Sequence, residues 1–65
     1  MIKTVIRLEN NMVMVFDNKG EQIPEYQGNY EKRKEEILQS APADALFAHG
    51  FTEAGEPIRV PREKW

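Results

Sequence analysis

Leu8-Glu9-Asn10-Asn11-Met12-Val13-Met14-Val15-Phe16-Asp17-Asn18-Lys19-Gly20 sets an unbroken apolar run between two turn signals. Asn tolerates positive φ better than other non-glycine residues, so Asn10-Asn11 suits a two-residue type I′ hairpin loop. Asp17 starts a type I turn, and Gly20 takes the left-handed position that closes it with a bulge. Between the two turns, Met12–Phe16 reads as a central strand covered on both faces.

On the N-terminal side, Met1–Leu8 alternates as a strand does, with Ile2, Thr4, Ile6 and Leu8 opposed to Lys3, Val5 and Arg7. On the C-terminal side, Glu21–Gln27 reads as a third strand, and Pro24, lacking an N–H, consigns it to an edge. Loop length sets register, and register sets which residues share a face. A two-residue first loop puts Leu8 opposite Val13 and Ile6 opposite Val15. A three-residue second loop puts Val15 opposite Ile23. One face then collects Ile2, Ile6, Leu8, Val13, Val15 and Ile23 as the core. The other collects Val5, Arg7, Met12, Met14, Phe16, Pro24 and Tyr26.

Asn29 is a good helix N-cap, and Tyr30–Gln39 follows as a helix with Tyr30, Ile37, Leu38 and Ala41 on one stripe. Pro42 ends it, because the residue before a proline disfavours helical geometry. Residues 43–51 carry two readings. The alanines favour a short helix, whereas Ala45, Phe47, His49 and Phe51 alternate as in a strand. The strand reading is preferred, since it joins Pro57–Val60 through a turn at 52–56 to make one hairpin. The element order is β-β-β-α-β-β over one α+β domain, residues 1–65. A three-stranded antiparallel meander carrying one helix and a C-terminal β-hairpin satisfies this order. A small, partly open five-stranded barrel of OB-like topology is the alternative. The short strands favour the open sheet, and no motif identifies a family.

Composition narrows function mainly by exclusion. Nine Lys and Arg stand against 11 Asp and Glu, a formal net charge of −2. The basic run Lys32-Arg33-Lys34 is bracketed by Glu31 and Glu35-Glu36, which cancel most of its field, so no nucleic-acid partner is expected. No apolar stretch reaches signal-peptide or membrane-spanning length, so a soluble, cytoplasmic protein with no membrane partner is the expectation. With no cysteine and one histidine, neither disulfides nor a structural zinc can support so small a core.

Catalytic chemistry finds little to work with. Ser40 is the only serine and His49 the only imidazole, and no nucleophile-elbow pattern surrounds Ser40. The carboxylate pairs Glu35-Glu36 and Glu53/Glu56 read as exposed, where carboxyls keep ordinary acidity and make poor acid–base catalysts. Asp17–Glu21 lacks the spaced donors of a calcium loop, and no glycine-rich phosphate loop exists. Neither an enzyme nor a cofactor or metal protein is expected.

Two functional expectations remain. A helix with two strongly apolar residues covers one side of a sheet, so the C-terminal hairpin must fold over the second side or that side stays open. If open, its Arg7, Met12, Met14, Phe16 and Tyr26 make a protein-contact patch, for self-association or a foreign protein partner. An open strand edge would serve the same end. Alternatively, His49 is a ligand contact in a cleft shared with Tyr26 and Tyr30, which describes a small-ligand-binding accessory domain.

Overall fold

The structure, a computed structural model, describes residues 1–65. In the first turn a single residue, Asn11, takes the left-handed conformation, at φ 65°. Its N–H donates to the Leu8 carbonyl (3.0 Å) and the Leu8 N–H donates to the Met12 carbonyl (2.8 Å), enclosing Glu9, Asn10 and Asn11 as a three-residue loop. Strands β1 (Ile2–Arg7) and β2 (Met12–Asp17) therefore pair antiparallel with Val5 opposite Val15, Ile6 opposite Met14 and Arg7 opposite Val13. The pairing expected from a two-residue loop is wrong by one residue, and one residue moves every side chain of a strand to the other face. Ile6 thus joins Met14, while Val5 and Arg7 join Val13 and Val15. A register shift between Ile2 and Thr4 leaves Lys3 as a bulge and returns Ile2 to the side of Val5.

The second turn forms as expected. The Gly20 N–H donates to the Asp17 carbonyl at 3.1 Å, with Gly20 at φ 82°. The Asp17 side chain accepts from the Glu21 N–H at 3.0 Å and the Lys19 N–H at 2.8 Å. These two bonds, Glu21 first, hold the Asp17 carboxyl below its ordinary pKa, because they favour the charged form.

The third strand is not the continuous Glu21–Gln27 expected. Gln22 bridges Phe16 and the Ile23 N–H donates to the Val15 carbonyl, but the chain then turns through a 3₁₀ helix at Pro24–Tyr26. Pro24 starts that turn because its missing N–H is of no use to a ladder. The Gln27 side-chain amide takes over the pairing. Its Oε1 accepts from the Val15 N–H at 3.3 Å, and its Nε2 donates to the carbonyls of Val15 (2.9 Å) and Ile23 (2.7 Å). Only Gly28–Asn29, strand β3, then pairs with β2 by backbone.

Asn29 also caps helix α1 (Tyr30–Ser40), its side chain accepting from the Glu31 N–H at 2.9 Å and the Lys32 N–H at 3.4 Å. The Tyr30 N–H donates to the Asn11 carbonyl at 2.8 Å, tying the start of the helix to the first loop. At the far end Arg62 donates to the carbonyls of Ala41 (2.9 Å) and Pro42 (2.6 Å), a cation placed where the helix dipole favours one.

The helix carries the chain across the sheet, so strand β4 (Leu46–Phe51) emerges on the far side of β1 and runs parallel to it. Residues 43–51 thus contribute a strand and no helix. Strand β5 (Pro57–Val60) completes the expected hairpin, antiparallel to β4. The result is an α+β fold whose five-stranded sheet, in the order β3-β2-β1-β4-β5, is mixed and open, not a closed barrel. The C-terminal hairpin widens the sheet instead of folding over it. No helix is long and apolar enough to cross a membrane.

One layer of core results. Ile2, Val5, Val13, Val15 and Phe47 of the sheet meet Tyr30, Ile37 and Ala41. Fully burying each Val, Ile or Phe contributes about 1.5–3 kcal/mol. Trp65 closes this layer after a 3₁₀ turn at Arg62–Lys64. Its ring meets Tyr30 edge-on at 5.0 Å and Phe47 at 5.1 Å, and its indole N–H donates to the Ala48 carbonyl at 3.1 Å.

Candidate functional site

Two surfaces stand out, one on each side of the slipped register. The first is the sheet face opposite the helix. The pairing puts Thr4 and Ile6 of β1, Met14 and Phe16 of β2, and Leu46 and Ala48 of β4 side by side on it. Helix α1, Tyr26, Trp65 and the Arg62 that clamps the helix end all belong to the other side. Ile6 is only 2% exposed and Ala48 1%, so the centre of this side is already buried within the chain. Met14, Phe16 and Leu46 are partly exposed and Met12 is exposed at the rim. Arg59, opposite Ala48, is the charged residue that the register sets at the margin.

Of the residues expected on this face, Met12, Met14 and Phe16 are there, joined by Ile6, which a two-residue loop places in the core instead. Arg7 and Tyr26 are not. Arg7 lies opposite Val13 and His49, and Tyr26 packs against the helix-side core from its 3₁₀ turn.

The second surface is a cleft of about 410 Å³ at the C-terminal ends of the parallel strands β1 and β4. Arg7, Glu9, Asn11 and His49 supply its polar lining, and Leu8, Phe51 and Ile58 its apolar lining. The Arg7 guanidinium lies 3.7 Å from the centroid of the Tyr30 ring, and its Nη2 donates to Asn11 Oδ1 at 2.9 Å. His49 Nε2 stands 3.2 Å from the main-chain oxygen of Trp65. That oxygen can only accept, so this contact requires the ring to carry a proton on Nε2. Tyr30 donates its hydroxyl to the same oxygen at 2.8 Å.

The cleft shared by His49, Tyr26 and Tyr30 therefore does not form as expected. Tyr30 is buried beneath Arg7, and neither tyrosine lines the cavity that His49 borders. Asn11, Glu9, Phe51 and Ile58 were missed. Only Asn11 left a trace in the sequence, as one of two residues fit for positive φ. The others meet because β4 runs beside β1, a long-range pairing without a local signature. No three or more His, Cys, Asp or Glu side chains stand together as a metal site would require.

No protein-family model matches this chain, and neither a curated protein nor a solved structure matches it. Function is read from the face and the cleft themselves.

Proposed function

We propose that this protein is a small interaction module that packs its sheet face opposite the helix, centred on Met14, Phe16 and Leu46, against the same face of a second copy. The supporting observation is that three neighbouring strands carry apolar residues on the side opposite the helix, where Met14, Phe16 and Leu46 stay partly exposed. A sheet face of this kind is ordinarily buried against another layer. Arg59, opposite Ala48, stands at the margin of this face and away from its apolar centre.

Strand rise and spacing give a footprint of roughly 20 by 20 Å per copy. Two such faces bury roughly 800 Å², just under the size of a standard specific interface and in the range of weak, transient contacts. A reversible, weak dimer is expected.

Sedimentation equilibrium over a hundredfold concentration range tests this reading, with a mass rising toward the dimer as the expected result. Met14→Glu and Leu46→Lys, both at partly exposed positions, should remain folded and stay monomeric. A parent chain that is monomeric throughout overturns self-docking. Dimers that survive both substitutions remove the interface from this face.

A further inference from the structure

The cleft beside Arg7 is independent of the open face, and its chemistry is specific enough to name a ligand class. Arg7 is partly buried, and its one recorded hydrogen bond goes to the neutral amide of Asn11. The only ion pair in the chain is Arg33–Glu36, on the helix surface, so no carboxylate lies within 4 Å of the Arg7 guanidinium. A partly buried cation with no salt-bridge partner favours an incoming anion. Stacking on Tyr30 and the bond to Asn11 hold the guanidinium plane in place before any ligand arrives, which reduces the ordering cost of binding.

The surroundings shape what the anion must be. His49, the cross-strand partner of Arg7, adds a second polar group whose ring is oriented by the Trp65 oxygen. Phe51 and Ile58 line the same cleft while 43% and 46% exposed, giving apolar surface that a ligand body would cover. Glu9 also lines it, and its negative charge would oppose a dianion more than a monoanion. The cleft lies at the C-terminal ends of the two parallel strands, where parallel sheets commonly bind ligands.

We infer that this cleft binds a small monoanionic organic carboxylate, with its carboxylate on the Arg7 guanidinium and its apolar body against Phe51 and Ile58. The carboxylate matches the planar fork of donors that Arg7 presents. No covalent step is involved.

Benzoate is the probe, titrated into the full chain and followed by NMR. Saturable shifts should centre on Arg7, Asn11, His49 and Phe51. The neutral isostere benzamide should bind about tenfold more weakly or worse, the effect of losing a charge-assisted hydrogen bond. Inorganic phosphate should also bind more weakly than benzoate. Arg7→Gln should abolish binding while the melting transition reports whether the fold survives. Glu9→Gln alters an exposed loop residue and should tighten benzoate binding about two- to fivefold, on the scale of one removed like-charge contact. Equal binding of benzoate and benzamide overturns the inference, as do shifts confined to other surfaces or a Glu9→Gln variant that binds no tighter. Phosphate binding above benzoate would overturn the carboxylate class. None of these outcomes bears on the open face, whose test is the sedimentation mass.

Discussion

Trp65→Ala should remove most of the stability of this fold. A chain of 65 residues has roughly 3–10 kcal/mol in total, from about 0.05–0.15 kcal/mol per residue. The Trp65 ring is buried, meets Tyr30 and Phe47 edge-on, and donates its indole N–H to the Ala48 carbonyl. Truncating such a ring to alanine costs about 3–5 kcal/mol, which already includes the lost edge contacts. With a urea slope near 1 kcal/mol/M for a chain of this size, the midpoint should fall by roughly 3 M or more. Far-UV circular dichroism across a urea titration reads this shift directly. Trp65→Phe separates ring from donor: it keeps an aromatic ring in the core but leaves the buried Ala48 carbonyl without the indole N–H, a loss of about 1–2 kcal/mol. A Trp65→Ala midpoint within about 1 M of the parent would refute the single-layer core, because the ring that closes the layer would then carry little of its energy.

Gln27→Leu should cost about 1–3 kcal/mol in urea unfolding, since it strips the Val15 N–H of its partner in the middle of β2. Asn29→Ala removes the helix N-cap and should cost about 1 kcal/mol, read as a lower urea midpoint with unchanged slope. Asn11→Ala keeps a residue at φ 65° without the amide that suits it and frees Arg7, so a loss of about 1–2 kcal/mol is expected, while Asn11→Gly should recover the backbone part of it. The Asp17 pKa is lowered in the folded state, so its contribution is present above the unfolded value of about 3.9 and is lost as pH falls through the folded value. Thermal melts below pH 4 should therefore show a steeper decline for the parent than for Asp17→Asn.

Signals confined to a few neighbouring residues were legible from the chain. Asp17–Gly20 had to turn because Asp accepts its own backbone N–H groups and Gly permits positive φ. Asn29 had to start a helix, Pro42 had to end it, and the hairpin at 46–60 followed from alternation on either side of a turn. Each of these is decided by backbone dihedrals and hydrogen bonds spanning about four residues, which local residue types control.

The sidedness of the sheet was not legible in this way. Asn10 and Asn11 are equally fit for a left-handed residue, yet the choice between a two- and a three-residue loop differs by one step in a period of two. That step moved Ile6 to the open face and Arg7 to the cleft. The conversion of residues 24–26 into a 3₁₀ turn depended on the Gln27 amide finding Val15 across the sheet. The meeting of Arg7 with His49 depended on the helix carrying β4 past β2 to the free edge of β1. Local chemistry thus determined where the elements lie. Which faces they share, and therefore both candidate sites, was decided by contacts between residues far apart in the chain, because one residue of loop length moves every side chain of a strand to the other face.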